Sequence, residues 1–257
     1  MSKFNNKFFS NIWVSAYELY GFYTRITNKY TPYMNLGFQV EQDVEIEDED
    51  KWFQPNINLY YKILQDNKVK NTSVLEVGCG RGGGCYFFVK YGKATSVYGL
   101  DKSNQNIKLC QKYFNSKEYK FSIGDATDFK LNQNFDYVIN LESSHSYPNL
   151  LNFYECVKNV LKNEGLFFYA DIFVSSELKE IESKMEIAGL TIVGKENITD
   201  GVVKSIEKNS IRWFPFSTKY PKLTPSFVKV FNASLHSDIF KKLKNGELQY
   251  YCYVVKK

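Results

Sequence analysis

The sequence predicts an α/β protein built on a mostly parallel, doubly wound sheet, and three observations carry that prediction. From residue 73 onward, short runs rich in β-branched and aromatic residues alternate with segments of helical periodicity. The first run, "SVLEV", opens directly onto a glycine-rich turn, "GCGRGGG". The second run closes on an acid, Asp101. Regular strand–helix alternation in a chain of 257 residues, 44% of them hydrophobic, implies strands covered on both faces by helices.

The elements follow in order. Residues 4–24 set Phe9, Trp13, Ala16, Tyr17, Tyr20 and Tyr23 at helical spacing, which predicts an amphipathic helix. "NKYTPYMNLGF" reads as a loop, "EQDVEIEDEDK" as a solvated or mobile acidic segment, and residues 52–66 as a second helix. Strands are predicted in "SVLEV", "ATSVYGL", "YKFSI", "FDYVINL" and "GLFFYADIF". Helices fall between and after them at about 83–91, 103–114, 149–162 and 176–188. "LTIVGKENI" and the terminal "LQYYCYVVKK" add two further strands. Residues 200–245, which hold three of the six prolines, show little periodicity and read as a lid or insertion. The chain therefore divides into a helical cap over residues 1–70 and a sheet domain over 71–257 that contains the insertion.

Composition narrows the function classes. The net charge of +5 is unevenly spread, with −3 over residues 1–200 and +8 over residues 201–257. Such a tail suits an anionic small molecule, a lipid surface or nucleic acid, or is simply a solvated face. The five cysteines show no C-x-x-C spacing, so neither a disulfide framework nor a zinc site is indicated. With no signal peptide and no apolar run approaching ~18 residues, the expectation is a cytoplasmic chain with no stable membrane insertion, although peripheral lipid contact stays open. Aromatic residues make up 17% of the chain, and fifteen of them lie within residues 1–61. Many are core, but a cluster this dense outside the glycine turn also suits a pocket for an apolar ligand.

Gly78, Gly80 and Gly83 satisfy G-x-G-x-x-G after a predicted strand, and Asp101 stands where an acid meets ribose hydroxyls. Glycine lets the backbone approach a ligand, and the following helix N-terminus offers N–H groups. This much serves a dinucleotide or S-adenosylmethionine equally. Three further features separate them. Glu76 precedes the glycines and suits a cationic ligand better than a pyrophosphate. Asp125, in "GDATDF", ends the third strand where an adenine amino group would need an acceptor. "FDYVINLESSHSYP" then carries the fourth strand into a loop that opens toward the same edge, with Glu142 adding another negative charge.

With these motifs in order, residues 71–172 resemble the class I S-adenosylmethionine-dependent methyltransferases; the signatures are "VLEVGCGRGG", "GLDKS", "GDATDF" and "VLKNEGLFFYADIF". More narrowly, "YMNLGF", "ESSHSYP" and "LKNGELQYYCYVVKK" are similar to bacterial phthiotriol-type and fatty-acid O-methyltransferases, which act on lipids or polyketides. The resemblance implies a Rossmann-like sheet of seven strands whose last strand is antiparallel. It also implies that Gly78, Cys79 and Gly80 cradle the methionine portion of the cofactor beside Glu76, that Asp101 and Lys102 meet the ribose, and that Asp125 and Ala126 frame the adenine. Leu141 and Glu142 would complete the site, and Tyr33 and Gly37 would close over it. Phe38-Gln39 stands where such enzymes often have Tyr-Trp, a departure within the lid.

Methyl transfer from a sulfonium is an in-line displacement, so much of the barrier falls when the acceptor is held on the line of attack. A hydroxyl acceptor also needs a base, whereas a carboxylate does not. Of the two histidines, His145 lies in the loop after the fourth strand at the mouth of the site, and in related O-methyltransferases a histidine in this loop is the base. Asp171, ending the fifth strand, is placed to orient His145 or the acceptor. His236 falls in a predicted helix away from every motif. Ser143, Ser144 and Ser146 lack the G-x-S-x-G setting of a serine hydrolase, and no metal-ligating cluster is present in the sequence. The expected function is transfer of a methyl group to an oxygen of a fatty acid, polyketide or phenolic lipid. N- or C-methylation of another small molecule or lipid is the alternative, although Asn140-Leu141-Glu142-Ser143 replaces the Asn/Asp-Pro-Pro-Tyr of amide and base N-methyltransferases. A nucleic-acid modification factor ranks below both, because no RNA-binding module is recognisable.

Overall fold

The chain folds around one seven-stranded sheet in a computed structural model that describes residues 30–65, 67–209 and 238–257. The strands are β1 (Ser73–Val77), β2 (Ser96–Asp101), β3 (Tyr119–Ile123), β4 (Phe135–Leu141), β5 (Leu161–Val174), β6 (Thr191–Asn197) and β7 (Leu248–Lys256). Their order is β3-β2-β1-β4-β5-β7-β6. Neighbours among β1 to β5 pair in parallel, and β7 runs antiparallel to both β5 and β6. The last strand is therefore the reversed one, as the sequence led us to expect. The chain travels outward from β1 to β3 and then returns to β4 on the other side of β1. That reversal opens a crevice at the carboxyl ends of β1 and β4, where ligands bind in sheets of this type.

Seven helices cover the sheet: α1 (Gln54–Leu64), α2 (Gly83–Lys90), α3 (Asn104–Tyr113), α4 (Leu150–Val160), α5 (Leu178–Ile187), α6 (Thr199–Asn209) and α7 (Asp238–Lys244), counted among the described residues. Side-chain caps fix two of their starts. The Ser103 hydroxyl accepts from the Asn106 N–H at 3.3 Å, and the Asn149 side chain accepts from the Asn152 N–H at 3.2 Å. Because strand side chains alternate, each strand feeds two cores. Val74, Ile139, Phe168 and Val254 pack with Ile57, Phe87 and Val202 on one face; Leu75, Val138, Phe167 and Tyr253 pack with Phe153, Val157 and Met185 on the other. The described part of the N-terminal cap shares the first of these cores, with Ile57, Leu59 and Ile63 fully buried against the sheet domain.

Three local expectations change. The acidic run is not a solvated stretch throughout: residues Asp48–Phe53 form a 3-10 turn, Asp50 is buried, and Lys90 binds Glu47, Glu49 and Asp50 at 2.9, 2.6 and 2.9 Å. The stretch 200–245 is helical at both described ends, where α6 buries Val202, Val203 and Ile206 and α7 buries Phe240 and Leu243. Strand β5 begins four residues earlier than "GLFFYADIF" suggests, with a register shift between Phe135 and Tyr137 absorbing the irregularity. The predicted helix over residues 4–24, His236 and the middle of the 200–245 stretch lie outside the described residues. No described helix is long and apolar enough to cross a membrane.

Candidate active site

The site is assembled from the carboxyl ends of the strands. Gly78 ends β1 in the left-handed region at φ +72°, and its N–H, with that of Cys79, donates to the Leu100 carbonyl at 2.7 and 3.0 Å. A Cβ at Gly78 would lie 2.1 Å from the Ser143 hydroxyl and 2.8 Å from the Tyr147 hydroxyl. Only glycine therefore allows the turn to pass under the loop that follows β4. Asp101, at the tip of β2, ties the turn down from the other side. Its Oδ2 accepts from the Gly80 N–H at 2.8 Å, and its Oδ1 accepts from the Ser103 N–H at 2.8 Å. Burial raises the Asp101 pKa above the usual carboxylate range against those two bonds. The Cys79 side chain is buried, so what it offers a ligand is backbone.

Glu76 lies beneath the glycine turn at 2% exposure. Its carboxyl group accepts from the Tyr60 hydroxyl at 2.9 Å and from the Cys85 thiol at 3.1 Å. Burial pushes its pKa up to about 7 even though both bonds favour the anion. Gly84 makes this placement possible, since a Cβ there would fall 1.9 Å from the Glu76 Oε1. At the other flank, Asp125 accepts from the Thr127 N–H and hydroxyl at 2.9 and 2.8 Å and pairs with Lys102 at 2.9 Å. Burial opposes the Asp125 anion, but Lys102 and Thr127 hold its carboxyl below the usual range. Ala126 and Leu141 are buried beside it and at the end of β4, respectively.

A strap of irregular chain, residues 30–40, crosses these strand ends. The Leu36 N–H donates to both oxygens of Glu142 at 3.0 and 3.1 Å, and the Tyr250 hydroxyl from β7 donates to Oε1 at 2.9 Å. Glu142 itself holds φ +49°, an unusual backbone angle for a side chain of this size at the end of a strand. Burial pushes its pKa up to about 7, against the Leu36 and Tyr250 donors. The strap is also fixed by the Ser205 hydroxyl, which donates to the Leu36 carbonyl at 3.0 Å, and by the Phe38 N–H, which donates to the Pro55 carbonyl at 2.8 Å. The Tyr30 hydroxyl donates to the Arg81 carbonyl in the glycine turn. Tyr33 is only 2% exposed and packs on Gly83 among Phe53, Tyr60 and Tyr86, while Gly37 turns the strap at φ +75° next to Ser205.

His145, in the turn that follows β4, meets Asp171 of β5. Asp171 is fully buried, and its Oδ1 lies 2.7 Å from the His145 Nδ1. Because the carboxylate only accepts, Nδ1 carries the proton, and Nε2 is the basic nitrogen of the neutral ring. Burial disfavours the imidazolium, yet Asp171 and then Glu142 raise the His145 pKa above its ordinary value. Burial would likewise raise Asp171, but His145, Ser144 and the Ile172 N–H hold it low. The sequence pointed to Glu76, Gly78, Gly80, Asp101, Glu142, His145 and Asp171, and the fold brings these to one edge of the sheet. It did not point to Tyr250, to the Leu36 N–H, or to Asn140 and Tyr147, whose 2.9 Å hydrogen bond lies beneath Ser143. A hydroxyl-rich "SSHSY" next to a strand end was the available signal for the last of these.

The donor set fits a cationic, ribose-bearing ligand on observations of this chain alone. Three carboxyl groups (Glu76, Asp101 and Glu142) stand at the carboxyl ends of β1, β2 and β4, and among the described residues a Cβ at Gly80 would meet only the Met34 sulfur, at 3.3 Å. The Asn140 and Asn106 side-chain oxygens are buried beside the turn with no hydrogen-bond partner among the described residues.

Comparison with known proteins shows the family of the chain. Residues 68–212 match the family model described as a methyltransferase domain. The chain is similar to phthiotriol/phenolphthiotriol dimycocerosates methyltransferase 1 of Mycobacterium ulcerans, with 30% identity over 226 residues covering 86% of this chain and 82% of that protein. It is also similar to the fatty-acid O-methyltransferase of Mycolicibacterium smegmatis, with 32% identity over 180 residues, 69% of this chain and 66% of that protein. Among solved structures, a putative sarcosine dimethylglycine methyltransferase from Galdieria sulphuraria superposes with a TM-score of 0.72 at 16% identity, covering 88% of this chain and 92% of that one, a likeness of fold.

Proposed function

This chain belongs to the class I S-adenosylmethionine-dependent methyltransferases, and from that membership we propose that it methylates an oxygen atom of an apolar small molecule, with His145 as the base. S-adenosylmethionine, when bound, supplies the electrophilic methyl group. In this reading Gly78, Cys79 and Gly80 hold its methionine portion over Glu76, Asp101 and Lys102 take the ribose, and Asp125 with Ala126 takes the adenine. Leu141 and Glu142 line the crevice, and the strap that carries Tyr33 and Gly37 covers it.

The observation that carries the proposal is the 2.7 Å pair between His145 Nδ1 and Asp171. Asp171 fixes the tautomer, so Nε2 takes the proton that an acceptor hydroxyl loses, and Asp171 then stabilises the imidazolium. The names of the relatives, which refer to phthiotriol dimycocerosates and fatty acids, support a lipid-like acceptor. The density of aromatic residues within residues 1–61 of the sequence is the composition that a pocket for such an acceptor calls for. Contact with a lipid surface fits the basic tail in the same way.

The test uses S-adenosylmethionine with a deuterated methyl group, incubated with the full chain and a panel of long-chain alcohols, phenolic lipids and fatty acids, and read by mass spectrometry. O-methylation requires a labelled methyl ether or ester in an apolar acceptor, and the role of His145 requires that a labelled ether be lost in His145→Ala; an ester that survives that substitution would remove His145 from the chemistry. Label confined to added RNA, to protein, or to a nitrogen or carbon atom would refute the proposal.

A further inference from the structure

We propose that the hydroxyls of Tyr154, Tyr169 and Ser144 form a one-way hydrogen-bond chain that ends on Asp171 and weakens its pull on the His145 proton, favouring the neutral, basic form of the ring. The proposal builds on the reading of His145 as the base, but its test is separate from that reading.

The direction of every proton follows from the end of the chain. Asp171 Oδ2 is a carboxylate oxygen and accepts only, so the Ser144 hydroxyl, 2.6 Å away, donates to it. That spends the one proton of Ser144, so the 2.6 Å contact with Tyr169 is a bond from Tyr169 to Ser144. Tyr169 has then spent its own proton, and the 3.3 Å contact with Tyr154 runs from Tyr154 to Tyr169. Three O–H dipoles in series point at one carboxylate, and each polarises the next. Ser144 is 3% exposed, and Tyr154, Tyr169 and Asp171 are fully buried, so little solvent competes for these bonds.

The two oxygens of Asp171 divide their partners. Oδ2 takes Ser144 together with the N–H groups of Ser143 and His145, both at 3.1 Å, and Oδ1 takes His145 Nδ1 and the Ile172 N–H, both at 2.7 Å. A donor to Oδ2 stabilises the carboxylate most when its charge is unshared, which is when the imidazole is neutral. The chain therefore opposes the pull of Asp171 on the His145 proton, while the Nδ1 bond keeps the tautomer. Other groups facing the pair are Glu142 from the end of β4, the Tyr250 hydroxyl from β7, which is bound to Glu142, and the Tyr147 hydroxyl, which is bound to Asn140 and Ser143. Among the described residues none of these three has a hydrogen bond to Asp171.

The experiment is an NMR titration of the full chain carrying 13C-labelled histidine. The sequence has two histidines, so His236→Gln assigns both resonances. Removing a donor to Oδ2 is expected to raise the His145 pKa: by about half a unit to one unit in Ser144→Ala, and by less but with the same sign in Tyr169→Phe and Tyr154→Phe. The His236 resonance serves as the internal control and stays in place. A His145 pKa that is unchanged or lowered in Ser144→Ala and Tyr169→Phe overturns the chain. Should Ser144→Ala not fold, Tyr169→Phe, which keeps the ring, decides alone. A raised pKa in a protein whose methyl transfer is indifferent to His145→Ala overturns the base and leaves the chain standing. An unmoved pKa in a protein that needs His145 does the reverse.

Discussion

Gly78→Ala is the substitution whose consequence the structure states most fully. A non-glycine residue at φ +72° carries about 1–2 kcal/mol of backbone strain. The new Cβ would also stand 2.1 Å from the Ser143 hydroxyl oxygen, 2.6 Å from its Cβ and 2.8 Å from the Tyr147 hydroxyl. Neither side chain is free to retreat, because the two hydroxyls bond each other at 2.8 Å and Tyr147 accepts from Asn140 at 2.9 Å. Overpacking of this kind costs about 1–3 kcal/mol. The two effects together come to about 2–5 kcal/mol, which for a chain of this size lowers the melting temperature by roughly 5–15 °C. Calorimetry measures it directly. Combining Gly78→Ala with Ser143→Gly removes the worst of the clash but not the strain, so the double variant should recover about half of the loss. A Gly78→Ala protein that melts within about 1 °C of the parent would refute the close-approach argument.

Other consequences concern the charged groups. The Glu76 pKa, raised to about 7 by burial, means that the folded state binds a proton the unfolded chain has released. Stability from this group is therefore full below about 4.5, is lost as pH rises to about 7, and amounts to about 3 kcal/mol. Urea titrations across that range should show the decline, and Glu76→Gln should make it shallower, the remainder belonging to Glu142, whose pKa burial also raises to about 7. Glu142→Ala removes the acceptor of the Leu36 N–H, so hydrogen exchange at that amide should accelerate at least about tenfold while β1 amides stay protected. Lys90→Met leaves Asp50 buried without its cation and should destabilise the fold by about 3 kcal/mol; adding Asp50→Asn should restore much of that in denaturant unfolding.

Local signals made the sheet legible. Val74, Val77 and Val97 sit in short runs bounded by Gly78 and Asp101, and a strand covered on both faces needs little more than that. The crevice was legible for the same reason, since glycines and acids at strand ends are read from neighbouring residues. The strap was not, because "YMNLGFQ" has no period of its own. Its position is set by partners 106 and 169 residues away, Glu142 and Ser205. Helix α6 is not legible although Val202, Val203 and Ile206 share a face, because the stretch it opens holds three of the six prolines and reads as a lid or insertion. The partners of Asp171 were half legible. Strand alternation places Tyr169 and Asp171 on one face of β5, but only the packing of the loop after β4 brings Ser144 between them.

The central claim is that His145 takes the acceptor proton, and the most direct measurement is the methyl-transfer rate of His145→Gly on a long-chain alcohol with and without added imidazole. Retained binding of S-adenosylhomocysteine would establish that the variant is folded. The account predicts a rate lowered by about 10²–10⁴-fold, partly restored by imidazole in proportion to its free-base concentration. A variant that transfers the methyl group at the parent rate without imidazole would contradict it.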